Sequence, residues 1–204
     1  MPCLGEARTL WVCVSNTRSP RYRARLQACE ATWLPRFRAM GFPAVVVLGR
    51  NSPSKSGRMI VDAGDYYRSL PQKVAAVFAH AVANDYDYVV KVDDDVVVYD
   101  RLAEVEAGEY VGVDFNLGKA AASWLAGFCY CVGRRAMSAF LSDHGRYAQG
   151  PEDEMLGATC RRHGIAMRSD ARFVMRYDAR LHGIAVAQHG ARPTEMMEAE
   201  PWTK

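Results

Sequence analysis

The sequence predicts a single α/β domain with a mostly parallel central sheet flanked by helices. The first observation is that short apolar runs rich in β-forming residues alternate with amphipathic stretches, which is typical of βαβ units. The second is size, since 204 residues, half of them hydrophobic, suffice for one well-buried core. The third is that no internal repeat or low-complexity linker divides the chain. These observations exclude global disorder and favour one domain.

The first half of the chain predicts alternating strands and helices. Runs of apolar, β-forming residues predict strands at 10–14, 42–48, 88–92 and 96–98. The run at 96–98 is predicted to continue the strand at 88–92. Apolar residues at spacings of three and four predict a helix that Pro20 opens and a second helix over 70–84. The polar, turn-rich segment 50–58 is predicted to be a loop.

The second half predicts a different order of elements. Strands are expected at 110–113, 124–132 and 184–186, and helices after Arg134 and Pro151. A polar tail follows the last strand.

Charge and composition narrow the classes of function. Residues 1–60 carry ten Lys or Arg against two acids, although the whole chain has a net charge of only +3. A basic front half suits an anionic ligand such as a nucleotide diphosphate or a nucleic acid, while a solvated arginine-rich helix explains part of the excess. No apolar stretch reaches membrane-span length, no signal peptide is seen, and the six cysteines form no CxxC pair. We therefore expect a soluble, cytoplasmic protein with free thiols.

The triplet Asp93, Asp94 and Asp95 follows a predicted apolar strand and carries the most information about function. Adjacent carboxylates repel one another unless a cation neutralises them. Ligands of open α/β sheets bind beyond the carboxyl ends of the strands, where these acids lie. Carboxylate oxygens suit Mn²⁺ or Mg²⁺, ions that bridge protein to diphosphate oxygens. The apolar flanks argue against a merely solvated turn, so the triplet predicts a metal-dependent site.

Residues 90–98, VKVDDDVVV, resemble the DxD segment of GT-A glycosyltransferases, in particular the β-1,3-galactosyltransferase and fringe group. Five further segments resemble that group's motifs in the same order: the Arg-rich helix ending in Thr-Trp at 23–33, D-x-Y-x-N-L-x-x-K at 65–73, a glycine-plus-aromatic strand at 126–131, E-D-V-x-x-G at 152–157, and V-H-x-x-x-P-x-E-M at 186–196 with Trp202. The resemblance implies a single GT-A-like domain over 1–204, with donor-binding residues at about 8–100 and acceptor-binding residues at about 108–190.

Glu30 departs from the arginine that is usual at this position in the galactosyltransferase branch. With no anchor or stem seen, a bacterial or viral enzyme is expected.

The resemblance implies an inverting enzyme that moves a sugar from a nucleotide-sugar, usually a UDP-sugar, to a hydroxyl acceptor with Mn²⁺ or Mg²⁺ as cofactor. Asp95 is the implied direct metal ligand. Asp93 is expected to support the metal or hold the donor ribose, and Asp94 to hold the donor sugar. His189 lies where the group has its late metal-binding histidine, with His182 as a rival.

Asp153 is the candidate general base, since it lies at a predicted helix start where the helix dipole favours an ionised carboxylate. Glu152 and Glu154 are neighbours that could take its role.

Basic and aromatic residues complete the candidate site. Arg18 and Lys73 resemble positions near the nucleotide and are expected to hold uracil-ribose or phosphate oxygens. Trp124 and Tyr130 are candidates for an acceptor platform, with core packing expected for one of them. The acceptor is expected to be a glycan, a small molecule or modified DNA.

Three other functions fit parts of the sequence. A phage-type enzyme that glycosylates hydroxymethylated bases of DNA would explain the basic front half. A metal-dependent nucleotidyltransferase would use paired aspartates but not His189. A non-catalytic binding module would not need an intact triplet, Asp153 and His189 together.

Overall fold

A seven-stranded mixed sheet forms the centre of the protein, whose computed structural model describes residues 2–114, 124–143 and 151–198. The strands are β1 Thr9–Val14, β2 Ala44–Gly49, β3 Arg58–Val61, β4 Tyr88–Asp93, β5 Val96–Val98, β6 Tyr110–Gly112, β7 Cys129–Gly133, β8 Arg168–Ser169, β9 Phe173–Val174 and β10 Ala187–His189. The central sheet has the order β3-β2-β1-β4-β7-β6-β8. Four of its neighbouring pairs are parallel, and β7 runs antiparallel to both β4 and β6. The predicted α/β class with a mostly parallel sheet is confirmed.

Helices cover both faces of this sheet. They are α1 Pro20–Ala31, α2 Trp33–Ala39, α3 Leu70–Ala83, α4 Arg134–Asp143, α5 Glu152–Arg162 and α6 Pro193–Glu198. Trp11 and Cys13 of β1 pack on the side of α1 and α2, whereas Leu10, Val12 and Val14 pack on the side of α3, α4 and α5. All six residues of β1 are buried, as expected for a parallel strand covered on both faces. None of the helices in the described part of the chain is long and apolar enough to cross a membrane.

Several predicted boundaries were wrong. Strand β3 begins at Arg58, which is the last residue of the segment predicted to be a loop. The Arg58 guanidinium donates hydrogen bonds to the Glu30 carboxylate. The predicted 124–132 strand is regular only as β7, and the predicted 184–186 strand begins later, as β10. Helix α6 lies in the predicted polar tail, while Trp202 lies outside the described residues.

The chain turns at the acidic triplet and does not resume the same strand. Strand β5 leaves the central sheet and pairs antiparallel with β10 in a three-stranded sheet of order β5-β10-β9. This pairing places Val96 opposite His189. In the central sheet, Asp93 is in register with Val14 of β1. The carboxyl ends of β1 and β4 therefore meet the end of β10.

Candidate active site

A cavity of about 580 Å³ opens where the carboxyl ends of β1 and β4 meet the end of β10. Its position agrees with the rule that open α/β sheets bind ligands beyond the carboxyl ends of their strands. Most of the sequence-predicted site residues line it: Arg18, Lys73, Asp93, Asp94, Asp95 and His189. Asp153 does not line this cavity.

Two protein cations neutralise much of the acidic triplet. Lys91 Nζ lies 2.6 Å from Asp93 Oδ1. Arg25 of α1 bridges the other two acids, with NH2 2.9 Å from Asp95 Oδ2 and NH1 3.6 Å from Asp94 Oδ1. The sequence predicts that a metal ion neutralises the triplet, and it does not predict the contacts of Lys91 and Arg25. The net negative charge at the triplet is therefore smaller than that of three aspartates without cationic partners.

Asp94 is the most buried acid of the triplet, with 5% of its surface exposed. Ser15 Oγ donates to Asp94 Oδ2 over 2.6 Å. Burial raises the pKa of Asp94 to about 6 even though this hydrogen bond lowers it. The contact joins the loop after β1 to the turn after β4.

Asp95 and His189 face each other with complementary metal-binding atoms. His189 Nε2 lies 3.5 Å from Asp95 Oδ1, and its ring stacks on Phe128 at a centroid distance of 5.1 Å. His189 Nδ1 lies 3.4 Å from the Met175 carbonyl oxygen. A carbonyl oxygen only accepts, so with Nδ1 as the donor to Met175 the other ring nitrogen, Nε2, is the atom that would hold a cation beside Asp95. A hydrogen bond from the other ring nitrogen to a backbone carbonyl commonly orients metal-binding histidines.

These two side chains fit Mn²⁺ or Mg²⁺ that is held jointly with a ligand. Such ions are usually bound by one or two protein groups together with phosphate oxygens and water, and a histidine nitrogen favours Mn²⁺ of the two. Across the described ranges, no three His, Cys, Asp or Glu side chains are grouped for metal binding. Asp95 and His189 would therefore supply two ligands of such a cation, with diphosphate oxygens and water as the others.

His182 lies elsewhere. Its Nε2 is 3.1 Å from the Tyr177 hydroxyl, and its ring packs near Tyr99. His182 does not line the cavity. Of the two candidate histidines, the fold brings His189 to the triplet.

Lys73 and Arg18 contribute to the cavity in different ways. The buried Lys73 ammonium donates to Asp65 Oδ1 over 2.5 Å and to the Ser15 carbonyl over 2.7 Å. Burial alone would raise the pKa of Asp65, but the hydrogen bond and charge of Lys73 lower it below its ordinary value. Arg18 is exposed at the rim, with its guanidinium 3.8 Å from the centre of the Tyr66 ring. Lys73 thus holds the loop after β1, while Arg18 lies exposed in the lining of the cavity.

Asp153 is the second residue of α5 and lies close to Gly127. A Cβ added at Gly127 would be 2.9 Å from Asp153 Oδ2, so glycine permits this approach. The Glu154 amide donates to Asp153 Oδ1 over 2.9 Å. Burial, followed by the charge of Glu152, raises the pKa of Asp153 to about 6. The helix dipole was expected to favour the ionised carboxylate, whereas burial and the Glu152 charge favour its protonated form.

The two neighbours of Asp153 have different environments. Glu152 is buried, and its Oε1 lies 3.0 Å from Lys91 Nζ, which also donates to the Gly127 carbonyl oxygen. Glu154 is exposed. Lys91 thereby links Asp93 to Glu152 at the start of α5, and Glu152 lies 61 positions after Lys91 in the chain.

Replacing Lys91 with methionine is expected to destabilise the protein by about 3–5 kcal/mol, because the Asp93 and Glu152 carboxylates lose their buried counter-charge. Burial alone would lower the pKa of Lys91, yet the two carboxylates raise it above its ordinary value. The midpoint of urea unfolding measures the loss. Lys55→Met is the matched control, since Lys55 is exposed and pairs with Glu30 only at 3.5 Å. A loss below about 1 kcal/mol for both variants would contradict the prediction.

The aromatic residues of the site differ from those expected. Tyr130 is fully buried and packs edge-on against Tyr110 at 5.6 Å, so it belongs to the core and is not an acceptor platform. Trp124 is half-buried. Tyr66 and Tyr67 line the cavity and are 51% and 73% exposed. Both lie in the segment at 65–73, whose resemblance to a family motif was the available signal.

A solved structure has the same fold. It is a glycosyltransferase involved in the glycosylation of the major capsid of PBCV-1, with a TM-score of 0.56 and 10% sequence identity over 93% of this chain and 97% of that one. No protein-family model matches the chain. No curated protein matches it either. The chain therefore shares its fold with this solved structure. The resemblance to the β-1,3-galactosyltransferase and fringe group rests on the sequence segments alone.

Proposed function

We propose that the protein is an inverting, metal-dependent glycosyltransferase that moves a sugar from a nucleotide-sugar, a UDP-sugar on the family resemblance, to a hydroxyl acceptor. The observation that carries this proposal is the pairing of Asp95 and His189 in the lining of the cavity. Sugar transfer also agrees with the fold shared with a glycosyltransferase.

The cavity can hold a nucleotide diphosphate through groups of both charges. Asp95 and His189 would hold Mn²⁺ or Mg²⁺, which when bound would neutralise charge on the departing diphosphate. Arg18 offers a guanidinium at the rim, where it stacks on the Tyr66 ring. Lys73 keeps the Ser15 carbonyl in place, and through it the loop that borders the cavity.

Asp153 is the proposed general base. In an inverting transfer, the acceptor oxygen forms a bond to the anomeric carbon as the bond from that carbon to the diphosphate oxygen breaks. The acceptor proton passes to the base. Glu152 already pairs with the Lys91 ammonium, and Glu154 is exposed. Asp153 is the half-buried acid of this helix start and forms no ion pair among the described residues, and its charge raises the pKa of Tyr67, which lines the cavity.

A donor screen tests this function without knowledge of the acceptor. Free nucleotide is measured after incubation with a panel of nucleotide-sugars and Mn²⁺, because slow donor hydrolysis releases nucleoside diphosphate. We expect release with at least one UDP-sugar and none after chelation of the metal. Release of pyrophosphate from nucleoside triphosphates would instead identify a nucleotidyltransferase, and no turnover with any donor would support a binding module.

Glycosylation of DNA is less well supported. Several arginines of the basic front half form ion pairs with the protein's own acids: Arg25, Arg36, Arg50 and Arg58. Each paired guanidinium is less available to a phosphate backbone. A glycan or small-molecule acceptor therefore fits better.

The pH dependence of transfer follows from the proposed base. With Asp153 at a pKa of about 6, kcat/KM for the acceptor is expected to fall tenfold per pH unit below about pH 6, because the protonated carboxyl cannot accept a proton. Initial rates at saturating donor and Mn²⁺ measure the profile. The same acidic limb in Asp153→Asn would show that another group causes it.

A further inference from the structure

Arg25 is placed to act on the metal site although it does not itself ligate. Its guanidinium is 2.9 Å from Asp95 Oδ2, and the side chains of Arg25 and Asp95 are only 13% and 14% exposed. The other oxygen of the same carboxylate, Oδ1, faces His189 Nε2 at 3.5 Å. One oxygen of Asp95 is thus held by an arginine and the other is directed to the histidine.

This arrangement has a geometric consequence. The planar guanidinium also reaches Asp94 Oδ1 at 3.6 Å, so Arg25 contacts two consecutive acids and resists rotation of the Asp95 carboxylate. A cation between Asp95 and His189 would therefore meet Oδ1 alone.

The arrangement also has an electrostatic consequence. Arg25 and Lys91 place two positive charges against the three carboxylates of the triplet. In a partly buried site, a guanidinium this close to Asp95 repels a divalent cation strongly. A diphosphate brings negative charge that attracts both the cation and the guanidinium.

We propose that Arg25 is a positioning residue that makes metal binding depend on the nucleotide: the free cation binds weakly, and the cation and the diphosphate bind cooperatively. This inference rests on the proposed function. On this inference, Arg25 is the reason that the cation binds together with the donor and not before it.

Titration of Mn²⁺ followed by the electron paramagnetic resonance signal of the free ion tests the inference. The protein alone and the protein with saturating UDP are compared for the unaltered chain and for Arg25→Met. We expect Arg25→Met to bind Mn²⁺ alone about tenfold more tightly, since the repelling charge is gone. UDP is expected to strengthen Mn²⁺ binding less in this variant than in the unaltered chain.

Arg21→Met is the matched control, because Arg21 lies one turn earlier on α1 and is exposed. It removes the same formal charge without touching the triplet and is expected to behave like the unaltered chain. Arg25→Lys keeps the charge but loses the two-acid contact, so Mn²⁺ alone is expected to bind it as weakly as the unaltered chain. If Arg25→Met does not fold, Arg25→Gln replaces it.

The outcomes separate this inference from the proposed function. Unchanged or weaker binding of free Mn²⁺ by Arg25→Met overturns the role of Arg25, provided that the unaltered chain binds Mn²⁺ with UDP. An equal gain in Arg21→Met also overturns it, because the effect would then be one of net charge. If the unaltered chain does not bind Mn²⁺ even with UDP, the metal-dependent function fails as well.

Discussion

Replacing Asp153 with asparagine is expected to lower kcat by a factor of about 10² to 10⁴, with donor and Mn²⁺ affinities nearly unchanged. Asparagine has almost the same shape and can still accept the Glu154 amide, so the start of α5 is preserved. It cannot take the proton of the acceptor hydroxyl. Transfer rates at saturating donor and acceptor measure the loss, and calorimetry with UDP and Mn²⁺ measures binding.

Glu154→Gln is the matched control for this variant. Glu154 is the next residue of the same helix turn but is exposed, so its activity is expected to be unchanged. Weakened donor binding in Asp153→Asn would make Asp153 a donor-site residue. Full activity would transfer the role of base to Glu152 or to a group outside this helix start.

The central part of the site could be predicted because it depends on local sequence and on one rule of topology. An apolar run ending in three aspartates predicts a buried strand with its acids at the carboxyl end, and β4 ends at Asp93. Parallel neighbours bring their carboxyl ends to the same sheet edge, so Ser15 and Asp93 lie at one cavity. The helix through Lys73 was predicted in the same way, from its apolar spacing.

Contacts between distant segments could not be predicted in this way. The pairing of Lys91 with Glu152 joins positions 61 apart, and Arg25 reaches the triplet from a helix whose other arginines face elsewhere. Nothing in the local pattern distinguishes Arg25 from Arg21 or Arg23. Likewise, three consecutive valines after the triplet predict a strand but not the sheet that it joins, which depends on β10, some 90 positions later. These features arise only when the whole chain has packed.

Replacing Asp95 with alanine is expected to abolish Mn²⁺-dependent binding of UDP, because it removes the proposed carboxylate ligand and leaves only His189 to hold the cation. In this variant, UDP would still be held by Arg18 at the rim of the cavity, and its affinity would be the same with and without Mn²⁺. Calorimetric titration of UDP with Mn²⁺ and with chelator measures both states. The fold should be preserved, since Arg25 keeps its second acidic neighbour, Asp94, and thermal melting checks this.

Asp62→Ala is the matched control for the loss of one carboxylate. Asp62 is exposed and pairs with Arg50 away from the cavity, so Mn²⁺ should strengthen UDP binding in this variant as in the unaltered chain. A Mn²⁺ effect that survives in Asp95→Ala would assign the ligand to Asp93 or Asp94. Lys91 already neutralises Asp93, and the buried Asp94 accepts a hydrogen bond from Ser15, whereas Asp95 keeps one oxygen directed to a histidine. The loss of metal dependence in Asp95→Ala is therefore expected to be complete.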